Sequence, residues 1–289
     1  MQKTENRVSV IVLNYNGGKY VGKCLRGLYQ STHSPLDIVF VDNASTDGSL
    51  EEIKKDFSAA HIIRSDYNRG FAGGMNLGIR FALEKFSPDF ILLLNSDAVV
   101  GPETISQLAA ELKADEKLGL ISPQISQSSG KPWFLGGRIN WLRMRCEHER
   151  RAPKNNFSSF LSGCALLIRK EVFRDAGLLD ERFFLYYEDA DFCLRAQKKG
   201  YALKVSPTAK VLHSEESEKD KVSKTYWLVL SGCIFFAKNT SYPLRFFFPL
   251  ILALRKFKNR LKLLFFPRDE IAKSVSKAYA DYESSKAIS

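Results

Sequence analysis

The sequence predicts an α/β fold: a mostly parallel, doubly wound sheet with helices on both faces. Three observations lead there. Strand-like and helix-like segments alternate four times before residue 114, the order that parallel strands joined by crossover helices require. The fourth strand-like run, DFILLLN (89–95), is apolar nearly throughout, as expected of a strand covered on both faces. Polar residues collect where the runs end, at Asn14-Tyr15-Asn16, Asp42-Asn43 and Asn95-Ser96-Asp97. Ligands of such sheets sit beyond the C-terminal strand ends, so these three groups are expected to line one crevice.

Each element has its own signal. RVSVIVL (7–13) is apolar and β-branched, which favours a strand. A helix-like stretch follows from Lys19 to Gln30. DIVFVD (37–42) is the second strand and stops at the turn-rich NASTDGS, after which Ser49 and Glu52 have capping-box spacing. HIIRS (61–65) is a short third strand. GFAGGMNLGIRFALEKF (70–86) reads as a small-residue turn feeding a helix, and Gly101-Pro102 opens another that carries through Lys113.

Beyond this point the pattern loosens. LGLISPQIS (118–126), WFLGGRINW (133–141) and GCALLIR (163–169) read as strands. RCEHERRAPKNN (145–156) holds a proline and no apolar period, which predicts a mobile loop. A helix is expected from near Asp189 to about Lys199, extended chain over 201–207 and 209–213, and helix from Lys219 onward.

A chain of 289 residues suits one large α/β domain with an appendage. Its 45% hydrophobic and 26% charged content is ordinary for a folded protein. The net charge of +11 is unevenly placed, because residues 219–268 hold 11 Lys/Arg against one acid, Asp220. This argues against a nucleic-acid-binding body and for a local basic patch. The five cysteines, Cys24, Cys146, Cys164, Cys193 and Cys233, are widely spaced with no C-x-x-C pair. Neither a disulfide framework nor a zinc knuckle is expected, and a reducing, cytoplasmic compartment fits. MQKTENR runs straight into the first strand without a signal-peptide pattern. No apolar run has the length needed to cross a bilayer.

Three groups of residues carry candidate chemistry. Asp97 ends the run LLLNSD, where a carboxylate is costly unless paired or metal-bound; a plain strand-ending Asn/Asp turn accounts for the same letters. Glu188, Asp189 and Asp191 crowd a helix start. Acids there complement the helix dipole, but Phe183, Phe184, Tyr186 and Tyr187 would wall a cleft around them, and acids in an aromatic cleft suit acid–base work. His213 ends an extended run and alone is as consistent with a satisfied surface histidine as with a ligand.

Together these segments carry a family resemblance. VSVIVLNYNG (8–17), VDNASTDGS (41–49), NRGFAGGMNLGI (68–79), LLLNSDAVV (92–100), FLSGCALLIRKEVF (160–173), GLLDERFFLYYEDADFCLRAQKKGY (177–201) and VLH (211–213) resemble the motifs of the inverting family 2 glycosyltransferases, in family order. Within that family they are most similar to the bacterial rhamnosyltransferase-like branch. One such block is weak; seven in order are specific.

The resemblance implies a GT-A type, Rossmann-like, doubly wound mixed sheet. Its catalytic domain would be residues 1–218, with a nucleotide-sugar half at about 1–100 and an acceptor half at about 101–218. Residues 219–289 would be a basic amphipathic helical extension. Asn14, Tyr15 and Asn16 then resemble the first nucleotide-contacting loop. Asp42 would accept the N3–H of uracil or thymine, and Arg69 would contact the base or the diphosphate. Asn95-Ser96-Asp97 stands for the D-x-D motif, and the retained Asp97 would hold a divalent metal, manganese or magnesium, together with His213. Asn95 in place of the first Asp removes one negative charge, which lowers the expected metal affinity. Asp189 matches the catalytic base and Glu188 an acceptor-orienting acid. Trp133, with Phe134, Gly136 and Gly137, is a candidate acceptor loop, a plain hairpin being an equal reading. SGCIFFAKN (231–239) stands where relatives often carry an Arg-Asn pair and receives no role.

The implied donor is a dTDP- or UDP-sugar, first of all dTDP-rhamnose. The implied acceptor is a saccharide or lipid-linked saccharide of cell-surface polysaccharide synthesis. The alternative is a catalytically inactive nucleotide-sugar-binding or membrane-surface scaffold. A nucleotidyltransferase would need a Gly-rich, basic phosphate loop where NYNGGKY stands, and a dehydrogenase would need G-x-G-x-x-G after the first strand. The segment LRFFFPLILALRKFKNRLKLLFFP (244–267) is too interrupted to span a membrane. Its mixture of aromatics, leucines and cations suits either peripheral contact with the inner membrane face or packing on the catalytic domain.

Overall fold

The computed structural model describes residues 6–214, apart from Ala152, Lys154 and Asn156, and residues 220–286. The first half alternates as expected: β1 (Val8–Asn14), α1 (Gly18–Tyr29), β2 (Leu36–Asp42), α2 (Ser49–Asp56), β3 (His61–Arg64), α3 (Gly70–Lys85), β4 (Phe90–Asn95) and β5 (Ala98–Val100). Then come α4 (Thr104–Ala114), β6 (Leu118–Gln127), β7 (Pro132–Phe134), β8 (Gly137–Asn140), β9 (Arg145–His148), β10 (Ala165–Arg169), α5 (Lys170–Ala176), α6 (Glu188–Lys198) and β11 (Ala202–His213). Three helices close the chain: α7 (Lys221–Asn239), α8 (Leu244–Phe265) and α9 (Glu270–Lys286).

The main sheet has the order β3-β2-β1-β4-β10-β6-β11-β5, with β7 paired to β6. Strands β3, β2, β1 and β4 run parallel. Strand β10 is antiparallel to both neighbours, and β11 is parallel to β6. The sheet is therefore mixed, and its parallel part is the part that the strand–helix alternation predicted. Two registers place the site. Asn14 lies opposite Asp42, and Leu13 opposite Asn95, so β1, β2 and β4 end level at one edge.

The small-residue motif of α3 has a packing cause. A Cβ on Gly78 would lie 2.3 Å from Ile11 Cγ2, and one on Gly74 would lie 2.5 Å from Leu13 Cδ1. The glycines let α3 press directly onto β1, whose Val10, Ile11 and Val12 are fully buried. Gly70 has φ of 69°, and a Cβ there would meet the Phe184 carbonyl oxygen at 2.2 Å. The N-terminus of α3 is thus pinned against the loop that precedes α6, through a bond from Phe71 N–H to the Phe184 carbonyl at 2.7 Å.

Four expectations need correction. Ser49 is the first residue of α2 and not its cap: the cap is Gly48 at φ 80°, and Asp47 Oδ1 accepts from Ser49 N–H at 3.1 Å. The run 133–141 is not one strand, because β7 and β8 belong to different sheets and Gly136, at φ 152°, lies between them. The segment 145–156 is not wholly loop, since β9 pairs antiparallel with β8. The stretches 201–207 and 209–213 form one strand with a register shift between Val205 and Lys210.

The C-terminal helices are joined to the body. Ser231 of α7 donates to the Leu185 carbonyl at 2.7 Å, and Trp227 stacks on Phe184 with ring centroids 4.2 Å apart. Asn259 of α8 donates to the Ala272 carbonyl and to Ser276 Oγ of α9, both at 2.9 Å. No helix among the described residues is long and apolar enough to cross a membrane.

The α3 contact gives a paired prediction. Gly→Ala inside a helix gains about 1 kcal/mol from propensity. Gly22→Ala on α1 should realise most of that gain, because its Cβ meets the ends of the flexible Arg26 and Glu52 side chains, at 3.4 and 3.6 Å. Gly78→Ala forces a methyl into Ile11, and overpacking of about 1–3 kcal/mol or more outweighs the gain. Denaturant titration should show Gly22→Ala stabilised and Gly78→Ala destabilised.

Candidate active site

The level ends of β1, β2 and β4 bring the predicted polar groups together. Asn14 is fully buried and its Nδ2 donates to Ser45 Oγ at 3.0 Å and Ser49 Oγ at 2.8 Å. It therefore braces the loop after β2. Gly17 must be small, since a Cβ there would sit 2.5 Å from Asn14 Oδ1 and 3.0 Å from Ser96 Oγ. Asn16, at φ 53°, reaches across to accept from Thr46 N–H at 2.7 Å. Tyr15 stands half exposed at the mouth.

Asp42 is fully buried at the end of β2. One carboxylate oxygen accepts from Ser45 N–H at 3.3 Å. The other has no hydrogen-bond partner among the described residues, although a buried acceptor normally has one. Arg69 is held beside it. Its Nε donates to Ser65 Oγ at 2.9 Å, and its guanidinium lies 4.3 Å from the centre of the Tyr67 ring. Asn43 fixes this segment by accepting from Arg69 N–H at 3.0 Å and donating to Asn68 Oδ1 at 2.9 Å.

Asp97 and His213 come together from distant parts of the sequence. Pairing of β11 with β5 sets His213 opposite Ala98, and Ser214 N–H donates to the Asp97 carbonyl at 2.9 Å. His213 Nε2 then lies 3.2 Å from Asp97 Oδ1. The imidazole is buried, and Trp133 covers it with ring centroids 4.6 Å apart. Close by in sequence, Asn95 Oδ1 is buried without a partner among the described residues. No group of three or more His, Cys, Asp or Glu suited to a metal occurs among the described residues. The pair offers one oxygen and one nitrogen donor, a set that suits Mg²⁺ or Mn²⁺ when phosphate oxygens and water complete the shell.

Asp189 sits at the same edge. Its Oδ2 accepts from Gly163 N–H at 3.0 Å and its Oδ1 from Ala190 N–H at 2.7 Å. The residue after Gly163, Cys164, accepts from Asn95 N–H at 2.9 Å, so Asp189 hangs from the strand end next to β4. Burial raises its pKa; the two backbone N–H groups and nearby His148 pull the other way. Glu188 is buried, and its pKa is raised well above the ordinary value by burial and by the charge of Asp189. Its Oε2 has no partner among the described residues. Such a pair, with carboxyl pKa values raised from the ordinary range, is suited to holding and moving a proton.

The turn before this pair is strained. Tyr186 and Tyr187 both have left-handed φ values, 69° and 68°, each costing about 1–3 kcal/mol for a non-glycine residue. Helix α7 holds the turn in place. A Cβ on Gly232 would meet the Tyr187 ring at 3.3 Å, and the Tyr187 ring packs 5.2 Å from that of Phe235. Lys238 and Asn239, the residues without an expected role, donate to fully buried Asp191 at 2.9 and 3.0 Å. Arg195 completes that network at 2.8 Å.

Two site residues were not foreseen. His148 lies in β9 within electrostatic reach of Asp189 and packs 4.7 Å from Trp133 and 5.0 Å from Phe134 by ring centroids. Glu147 borders two cavities. One, of about 610 Å³, is lined by Trp133, His148, Lys131 and Arg150. The other, of about 790 Å³, runs under α8 from Tyr187. Both residues lie in the segment expected to be loop, and no apolar period in Arg145–His148 flags the strand.

Comparison with known proteins identifies the family and the fold. The profile of "Glycosyl transferase family 2" matches residues 9–177. The chain is 26% identical over 231 residues to a low-salt glycan biosynthesis hexosyltransferase of Haloferax volcanii, covering 77% of this chain and 72% of that one. It is 27% identical over 277 residues to the N-acetylglucosaminyl-diphospho-decaprenol L-rhamnosyltransferase of Mycobacterium tuberculosis, with 85% and 90% coverage. It is 26% identical over 232 residues to a dTDP-rhamnosyl transferase of Shigella flexneri, with 76% and 74% coverage. In fold it resembles GalNAc-T7, solved with UDP, GalNAc and Mn²⁺, at a TM-score of 0.68 and 15% identity. That match covers 98% of this chain and 55% of GalNAc-T7. A Pyrobaculum calidifontis mannosyltransferase, solved with GDP-Man and Mn²⁺, matches at a TM-score of 0.62 and 14% identity, covering 99% and 88%. The fold is that of GT-A glycosyltransferases.

Buried Glu188 makes a stability prediction. Folding raises the Glu188 pKa, so the folded chain holds that proton more tightly than the unfolded chain. Stability therefore falls as pH rises from the ordinary carboxylate range, about 4, through the raised value. Glu188→Gln removes that loss. Its melting temperature relative to wild type should be higher at about pH 8 than at about pH 5; a pH-independent difference would mean that Glu188 titrates normally.

Proposed function

Because this chain belongs to glycosyl transferase family 2, we propose that it moves a sugar from a nucleoside-diphosphate donor to a hydroxyl acceptor with inversion. The observation that carries this reading is the 3.2 Å approach of His213 Nε2 to Asp97 Oδ1, at the strand edge from which Asp189 also hangs. Such a pair is suited to a cation, and a half-buried carboxylate nearby is suited to a proton.

Asp42 recognises the base through its unpartnered oxygen, which accepts the N3–H of thymine or uracil. Tyr15, Asn16 and Arg69 contact the nucleotide from the rim. Asn14 acts behind them by holding Ser45 and Ser49, and Asn95 and Ser96 border the diphosphate. Asp97 and His213 would hold the divalent metal, manganese or magnesium. When bound, that ion supplies positive charge opposite the departing diphosphate.

Asp189 accepts the proton of the acceptor hydroxyl. That oxygen forms its bond to the anomeric carbon as the carbon–oxygen bond to the diphosphate breaks and its electron pair leaves with the phosphate. A single displacement inverts the configuration. Glu188 orients the acceptor, and Trp133 covers His213 on the acceptor side.

The donor favoured by the rhamnosyl relatives is dTDP-rhamnose, with a UDP-hexose as runner-up in keeping with the hexosyltransferase relative. The acceptor is a lipid-linked saccharide of surface-glycan assembly. The cavity of about 790 Å³ supports this, being lined by apolar Phe236, Phe248 and Ile251 and by basic Arg255, Lys258 and Lys262. Such a lining fits a prenyl chain and a diphosphate.

Thermal unfolding with a panel of nucleotide sugars, each with and without Mn²⁺, tests the reading. A ligand at a hundredfold excess over its Kd adds about 2.7 kcal/mol, worth a rise of about 5 °C or more for a protein of this size. The rise should be largest for dTDP- or UDP-sugars, grow with Mn²⁺, and lose its metal-dependent part in Asp97→Ala. A folded sample with no shift for any nucleotide sugar would favour an inactive scaffold.

A further inference from the structure

Helix α8 is amphipathic the wrong way round for a helix that only packs on its own protein. At 3.6 residues per turn, Phe246, Leu250, Leu254, Phe257, Leu261 and Leu264 fall on one stripe. That stripe faces away from the protein: Phe246 is 77% exposed, Leu254 59%, Phe257 61% and Leu264 75%. The opposite face does the packing, through Phe248 against Tyr282 and Asn259 against α9. Phe248 is the one buried residue among the 22 of α8.

Charge frames the stripe. Lys258 and Lys262 flank it on one side and Arg260 on the other, by the same helical geometry. From Lys221 to Arg268 the sequence holds ten Lys/Arg and no Asp or Glu. A face this apolar and this large is rarely left in water. Two copies of it would bring mostly cations together at their rims, even with Lys262 paired to Asp269 at 2.7 Å, so self-association is disfavoured. An anionic bilayer surface satisfies both features, taking the aromatic and leucine side chains among its acyl chains and the cations among its headgroups. The cations at 255, 256, 258, 260 and 262 interrupt the helix, so it lies in the membrane plane and does not cross.

We propose that the exposed face of α8 is a docking surface for an anionic lipid bilayer, with the helix lying flat in the interface. The 790 Å³ cavity lies on the inner face of the same helix. The proposal needs no assumption about the sugar transferred.

Vesicle flotation of the full chain tests it without any sugar substrate. Wild type should float with phosphatidylcholine vesicles that contain phosphatidylglycerol, bind pure phosphatidylcholine weakly, and be released by salt. Phe257→Glu with Leu264→Glu should lower vesicle affinity roughly tenfold or more at an unchanged melting temperature, since both side chains are exposed. Wild type that fails to float, or a double variant that floats equally well, would overturn the proposal. So would a wild-type dimer in sedimentation that the double variant dissociates without any vesicle binding, since the stripe would then be a self-interface.

Discussion

The site depends on a backbone register. Parallel pairing of β1 with β2 and β4 ends three strands level, with Asn14 opposite Asp42 and Leu13 opposite Asn95. Antiparallel β10 then brings Gly163 and Cys164 to the same edge, where Ala165 faces Leu94. A one-residue slip would turn every polar end group to the wrong face. The register is enforced by the buried apolar runs of β1 and β4 and by the glycine face of α3, which lets Ile11 and Leu13 be covered without a gap. The chemistry-bearing side chains are consequences of that packing.

Holding acids in such a place costs stability, and the fold shows where the cost is met. Glu188 is buried and Asp189 half-buried, both with raised pKa values, and two left-handed tyrosines precede them. Neither feature favours folding by itself. They persist because α7 over-determines the turn from outside, with Ser231 on the Leu185 carbonyl, Gly232 under the Tyr187 ring, and Lys238 and Asn239 on Asp191. Asp191 belongs to the same acidic cluster in the sequence but has a different task. It is the anchor that ties α6 to α7, whereas Asp189 is held by the N–H groups of Gly163 and Ala190.

Much of this was legible in the residues and some was not. The parallel half followed from alternation, because βαβ units announce themselves locally. The Asp97–His213 pair could be assigned only by resemblance: its partners meet through β5 and β11, and no spacing along the chain encodes that contact. Strand β9 was hidden because it pairs only with β8 in a small two-stranded sheet, so no apolar period marks it, and His148 and Glu147 were missed with it. The α8 pattern gave an apolar stripe but not its direction. Only the burial of Phe248 and the exposure of Phe257 and Leu264 decide which face packs on the protein.

In the proposed mechanism Asp189 removes the acceptor proton. The most direct measurement is the single-turnover rate of sugar transfer by Asp189→Asn, made together with donor affinity for the same variant. The account predicts a rate reduced by about 10²–10⁴-fold or more, as for loss of a general base, with donor affinity kept, since Asp42, Asp97 and His213 are untouched. Transfer at the wild-type rate would contradict it and remove Asp189 from the mechanism.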